Sequence, residues 1–342
     1  MSQSTYELNE QVQRGSQWVQ PLFSEVGKVV VGQKLLVERL VMGLLTNGHV
    51  LLEGVPGLAK TLTVRTLASC LHTGFARLQF TPDLLPADLI GTLIYNPREG
   101  EFTTKLGPIF SNLILADEIN RAPAKVQSAL LEVMQERQVT IAGQTHRLAE
   151  PFLVMATQNP TESEGTYPLP EAQVDRFLMK VLVGYPREEE EFVIVERVSG
   201  APVTLAPVAD TTELARLQAL CRRGFVDPVL MQYAVRLVGA TRDPARCGLE
   251  SLRPYITFGA SPRASIGLVE AARALAFLRG RDYVFPQDIV DVAPDVLRHR
   301  LALSYEALAE GIDADQLIAR ILARLPPPDK PLESHVRVAA PT

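Results

Sequence analysis

Apolar residues along this chain follow two rhythms. Between about Pro21 and Val183, short apolar runs alternate with stretches in which apolar residues recur every three or four positions. The short runs read as strands covered on both faces. Five stand out: His49–Glu53, Phe75–Gln79, Leu113–Ala116, Phe152–Thr157 and Phe177–Val183. Strands that alternate with helical periods predict a parallel α/β sheet with helices packed on it. Around Gly184-Tyr185-Pro186 the rhythm changes. Arg187 to Val198 has a helical period, 199–212 is a connector rich in Pro, Ala and Thr, and from Glu213 to about Arg324 only helical periodicity is visible. Ser261 before Pro262 and Arg263 marks a helix start with proline in the first turn.

The expected organisation follows from that change. Residues 1–20 form a polar lead, 21–186 an α/β domain, 187–212 a connecting helix and linker, 213–325 a small helical domain, and 326–342 a mobile Pro-rich tail. Two segments inside the α/β part alternate around a turn and predict β-hairpins: Tyr95–Thr103, with a Pro-to-Gly turn, and Gln138–Leu148, with a central Gly143. Plain surface loops would also fit both. Phe102 near the first turn fits equally a grip on a partner or a contact with its own subunit.

Composition narrows the class. The chain has 342 residues, more than one typical domain, and is 46% hydrophobic and 21% charged, as expected of a globular protein with a large core. Its apolar runs are far shorter than the ~18 residues of a membrane span, and residues 1–20 lack an apolar signal core. Cys70, Cys221 and Cys247 are scattered, with no CxxC pair, which fits inert thiols in a cytoplasmic protein and no cysteine metal cage. A net charge of −5 argues against generic binding to nucleic acid.

The candidate chemistry lies at two strand ends. After Val50-Leu51-Leu52 comes Gly54-Val55-Pro56-Gly57-Leu58-Ala59-Lys60-Thr61, followed by Leu62, Val64, Leu67 and Ala68 at helical spacing. A glycine-rich turn between strand and helix aims several N–H groups at one point, where the helix N-terminus adds partial positive charge. Lys60 would reach the outer phosphates of a nucleotide and Thr61 would place its hydroxyl on magnesium. Ala59 departs from the usual glycine, and its methyl crowds a site where backbone and phosphate come close. The second strand end is Leu113-Ile114-Leu115-Ala116 followed by Asp117-Glu118. In open α/β sheets ligands bind at that end of the strands. Asp117 would hold magnesium through water, and Glu118 would polarise an attacking water. A helix N-cap with an acidic first turn would explain Asp117-Glu118 about as well.

Longer motifs then give a resemblance. Gly54–Thr61 with alanine before the lysine, Gln79–Pro86, Leu115–Ala122, Ala156–Pro160, Tyr167–Phe177 and Gly259–Ala264 are similar to those of MoxR-type AAA+ ATPases, over roughly residues 20–325. That family commonly carries the alanine. The resemblance implies an α/β P-loop core, a parallel sheet sandwiched by helices, followed by a small all-α lid, and assembly into a homo-oligomeric ring, usually a hexamer. It implies ATP and Mg2+ as ligands, with Val31, Gly32 and Gln33 at the adenine and Gly54, Val55, Pro56, Gly57, Leu58, Ala59, Lys60, Thr61 and Leu62 around the phosphates. Thr61 and Asp117 would serve the Mg2+, and Glu118 the attacking water. Asn159 matches sensor 1, Arg176 an arginine finger acting in trans, and Arg263 sensor 2. The hairpins match the inserts that face the pore or upper surface of such rings. The family also implies a protein client, often a von Willebrand factor A-domain protein. Read without it, Asn159-Pro160 fits a turn, Arg176 a surface ion pair and Arg263 a solvated first-turn arginine. Competing functions are a nucleic-acid motor, an ATP-gated assembly platform with little turnover, and a magnesium-chelatase-type subunit.

Overall fold

The structure is a computed structural model that describes residues 3–160, 165–200 and 203–329. The segment from 330 onward, most of the expected Pro-rich tail, lies outside the described residues. By contacts the chain divides into two units: Gln20–Phe177 with Val181–Ala215, and Met1–Val19 with Leu178–Lys180 and Arg216–Thr342.

The strands are β1 (Val50–Glu53), β2 (Phe75–Gln79), β3 (Gly91–Asn96), β4 (Glu101–Leu106), β5 (Leu113–Asp117), β6 (Gln138–Ile141), β7 (Gln144–Arg147) and β8 (Leu153–Gln158) in the first unit, and β9 (Met179–Leu182), whose first two residues are counted with the second. Five of them form one sheet in the order β2-β5-β8-β1-β9. The pairings β2–β5, β5–β8 and β1–β8 are parallel, with Gln79 opposite Asp117, Ala116 opposite Ala156 and Leu52 opposite Thr157. β5 is buried along its whole length, and β8 along all but Gln158. A strand with helices on both faces has no solvent side, and this is why it reads as a continuous apolar run. The edge strand β2 is partly exposed and alternates instead. β3 with β4 and β6 with β7 form the two expected hairpins.

The helices of this unit are α2 (Val19–Gly27), α3 (Lys34–Thr46), α4 (Lys60–Cys70), α5 (Pro86–Ile90), α6 (Ala124–Glu136), α7 (Glu171–Val174) and α8 (Glu188–Val198), with α1 (Gln3–Ser16) preceding them. One core layer lies between the sheet and α6. Ile114, Ala116, Val154 and Ala156 from the strands meet Val126, Leu130 and Val133 from the helix, with Phe80, Phe152 and Phe177 among them.

The second unit is mainly helical, with α9 (Thr211–Arg222) from Arg216 onward, α10 (Pro228–Arg242), α11 (Pro262–Leu278), α12 (Pro286–Leu297), α13 (Tyr305–Ala309) and α14 (Ala314–Arg324). Ser261 does cap α11, its hydroxyl accepting the Arg263 N–H. The helical periodicity conceals a two-stranded antiparallel ribbon of Ile256–Phe258 and Ala302–Leu303 and a single bridge between Phe225 and Tyr283. Asp288 has no exposed surface and is held by Arg279 and Arg281 at 2.7 Å each. α1 belongs to this unit: Val12 is fully buried and Gln11 accepts from Arg223 at 2.9 Å.

His49, just before β1, ties the sheet to α6. One ring nitrogen, Nδ1, accepts the Val154 N–H at 3.0 Å, and Nε2 lies 3.0 Å from the Met134 carbonyl, to which it donates. Its burial pushes the imidazole pKa down to about 4. A depressed pKa means that the folded state holds the neutral ring. The stability this contributes is complete above the ordinary value near 6.5 and is lost as pH falls towards about 4. We expect His49 alone to remove about 2 kcal/mol of stability between pH 7 and pH 5. Urea midpoints at the two pH values should fall further in the native chain than in His49→Gln; equal falls would refute the assignment.

Candidate functional site

The C-terminal ends of β1, β8 and β5 lie side by side in the sheet, and each delivers polar residues to that edge. After β1 the chain turns at Gly54, where a Cβ would come within 2.6 Å of the Val183 carbonyl, so only glycine fits. Gly57 has φ +86° and Ala59 has φ +56°, both left-handed. For alanine that conformation costs about 1–2 kcal/mol. The departure at Ala59 is therefore one of backbone strain, in addition to any crowding by its methyl. Leu58 is buried and anchors the loop. Ala59 precedes α4 directly, its carbonyl accepting from both the N–H and the hydroxyl of Thr63. The first turn of α4, with Lys60, Thr61 and Leu62, thus presents unpaired helix-end N–H groups.

Lys60 is half-buried and its Nζ donates to the carbonyls of Gly54 and Val55. Desolvation lowers its pKa, while Asp117, Glu118 and Glu53 act in the opposite direction. The lysine is therefore a poorly solvated cation facing three carboxylates.

After β5 the two carboxylates are fixed differently. Asp117 is buried; its Oδ1 accepts from the Thr157 hydroxyl at 2.6 Å and its Oδ2 from Arg77 at 2.7 Å. Glu118 is left-handed, with φ +57°. Its N–H donates to the same Thr157 hydroxyl at 2.8 Å, and its Oε2 accepts from Gln79 at 2.7 Å and pairs with Arg121 at 3.2 Å. Asn159 follows β8, between the other two strand ends, and is buried.

The remaining expected residues lie elsewhere. Val31, Gly32 and Gln33 line a cleft of about 290 Å3 with Phe23, Val37 and Glu190. Gly32 has φ +74°, and a Cβ there would meet the Glu190 carboxylate at 2.7 Å. Gln33 donates to the Gly184 carbonyl at 3.4 Å. Arg176 lies against its own α6, its Nη1 donating to the Leu131 carbonyl at 2.8 Å while its Nε is buried without a partner among the described residues. Arg263 stands in the first turn of α11, in the helical unit.

Lys60, Thr61, Asp117, Glu118 and Asn159 thus gather at one sheet edge. Sequence reasoning missed their supports: Arg77 and Gln79 on β2, Thr157 on β8 and Gln127 on α6. Polar residues at alternate positions of a strand that ends beside a carboxylate were the available signal for the first two. Thr157 lies inside the Ala156–Pro160 motif, but its role depends on β5 and β8 being neighbours, which no local pattern gives. Chemically, the N–H groups and Lys60 suit a polyanion, and the oxygen donors of Thr61 and Asp117 suit a hard divalent cation.

Comparison with known proteins agrees with this geometry. Residues 49–179 match the model of the ATPase family associated with various cellular activities (AAA), and residues 251–321 match the AAA lid domain. The chain is 57% identical to chaperone MoxR1 of Mycobacterium tuberculosis over 87% of its own length and 79% of that protein. It is 35% identical to protein MoxR of Paracoccus denitrificans, over 88% and 93% of the two chains. A crystal structure of a Cytophaga hutchinsonii protein, provisionally assigned as an ATPase, superposes with TM-score 0.88 at 51% identity, covering 95% of this chain and 98% of that one. A P-loop core, a helical lid and relatives this similar over nearly full length show that the chain belongs to the MoxR family of AAA+ ATPases.

Proposed function

We propose that this protein hydrolyses ATP with Mg2+ in a homo-oligomeric ring, a hexamer by family likeness, and uses the cycle to remodel or assemble a protein partner. The observation that carries the enzymatic part is the arrangement of Lys60 opposite Asp117 and Glu118, with Thr157 fixing both acidic positions.

In this reading the adenine enters the cleft of Val31, Gly32 and Gln33. The N–H groups from Gly54 to Leu62 surround the phosphates. Lys60 exchanges the carbonyls of Gly54 and Val55 for phosphate oxygens, which recovers the solvation it lacks. Thr61 and Asp117 hold the metal. Bound there, Mg2+ neutralises charge on the β- and γ-phosphates. Mg2+ is usually bound through one or two carboxylates together with water and substrate phosphates, a role that the Asp117 carboxylate and the Thr61 hydroxyl would suit.

Glu118 accepts a hydrogen bond from the attacking water. Gln79 holds one of its oxygens and sets the carboxylate plane. Asn159 orients the water or touches the γ-phosphate. Arg176 leaves the Leu131 carbonyl and reaches the neighbouring subunit's site, where an arginine finger supplies roughly 10³–10⁵ in rate. Arg263 contacts the phosphates from the lid of its own chain.

The partner is a protein client. MoxR1 carries the name chaperone, and a von Willebrand factor A-domain protein is the class that the family suggests. The β3–β4 hairpin offers a surface for it: Leu93, Tyr95, Phe102 and Leu106 lie on one face of the ribbon and are all exposed. Among the described residues no helix is long and apolar enough to cross a membrane, and we place the protein in the cytoplasm.

Glu118→Gln should lower kcat for Mg2+-dependent ATP hydrolysis by about 10²–10⁴ while leaving nucleotide affinity within about threefold, because the carboxylate acts on water and the phosphates are held by other groups. Steady-state phosphate release together with equilibrium nucleotide titration measures both. Undiminished turnover in Glu118→Gln would end the enzymatic reading.

A further inference from the structure

Gln127 has no exposed surface. Its side-chain amide donates to three backbone carbonyls, those of Ile119 at 3.2 Å, Ala122 at 3.1 Å and Tyr167 at 2.9 Å. Two amide hydrogens shared among three acceptors require a central position. Its Oε1 is buried without a partner among the described residues. A methionine or leucine of similar size would spare that acceptor but deprive three backbone carbonyls of this donor, so the amide matters here for the carbonyls it joins. Packing alone does not explain a glutamine here.

The three carbonyls come from two stretches. Ile119 and Ala122 bracket the 3₁₀ turn that begins after Glu118. Tyr167 opens the run Tyr167-Pro168-Leu169-Pro170 that leads into α7 and then Arg176. The Tyr167 N–H donates to the Asn120 carbonyl at 2.6 Å, closing the same junction from the other side. One helical turn beyond Gln127, on the same face of α6, the Leu131 carbonyl receives Arg176. The two stretches are secured to different neighbours. The Glu118 turn is already fixed to β8 through Thr157 and to β2 through Gln79. The Arg176 stretch takes its alignment from α6.

We propose that Gln127 is a positioning residue that ties the Arg176-bearing segment to the fixed Glu118 turn, so that the arginine is presented to the neighbouring subunit in one orientation. This rests on the reading of Glu118 and Arg176 given above. It also gives a physical link between a subunit's own nucleotide site and the arginine it offers next door.

The test compares steady-state ATP turnover of the full chain with that of Arg176→Ala, Gln127→Met and the double variant, at protein concentrations where specific activity no longer rises. Gln127→Met should lower kcat on the order of 10- to 100-fold, the scale of a small misplacement of a catalytic group. KM for ATP should stay within threefold, and the double variant should match Arg176→Ala within twofold. A merely structural glutamine would not produce that lack of additivity. Undiminished kcat in Gln127→Met, or a double variant that loses the product of the two single effects, overturns the inference and leaves the reading of Arg176 intact. Full turnover in Arg176→Ala alone overturns both. If Gln127→Met does not fold, Gln127→Asn keeps an amide one methylene too short for the three carbonyls. It should show the same pattern, and full turnover in it overturns the inference.

Discussion

The hydroxyl of Thr157 donates to Asp117 and accepts from the N–H of Glu118, joining two neighbouring strands at the edge where the polar residues gather. It is almost fully buried, at 1% exposure. Both acidic positions are therefore set by β8, a strand to which neither belongs. Arg77 and Gln79 complete the frame from β2. The spacing between Lys60 and the two carboxylates depends on the order β2-β5-β8-β1, which brings the ends of three non-consecutive strands together.

That frame supports unfavourable local states. Ala59 and Glu118 both sit in the left-handed region, and burial lowers the pKa of Lys60 against the opposing effect of Asp117, Glu118 and Glu53. Arg176 Nε, Gln127 Oε1 and Asn120 Oδ1 are buried without partners among the described residues. Such features persist where surrounding structure over-determines them, and they cluster at functional sites. Ala59 and Lys60 lie at the start of α4, Glu118 and Asn120 at the turn after β5, Gln127 on α6, and Arg176 on the segment that follows α7. A ligand that supplies acceptors to Lys60 relieves part of this cost.

Much of the fold was legible because parallel strands covered on both faces leave continuous apolar runs. All five sheet strands were found within one or two residues, and both hairpins were found from alternation around a turn. Lys60, Thr61, Asp117 and Glu118 could be read from strand-then-glycine and strand-then-acid patterns. The supports could not. Thr157 and Arg77 matter only through strand neighbours that crossover connections create, and Gln127 looks like any polar residue of an amphipathic helix until three carbonyls converge on it. The membership of α1 in the helical unit was equally hidden, since a mostly polar helix shows little of where Val12 will be buried.

The central claim is that each hydrolytic site is completed by Arg176 of another copy. Its most direct measurement mixes two inactive proteins, Glu118→Gln and Arg176→Ala, and follows ATP turnover. Each supplies what the other lacks, so random co-assembly at equal concentrations should restore roughly a quarter of wild-type turnover, following the trans arrangement of an arginine finger. A mixture no more active than its components would contradict the claim.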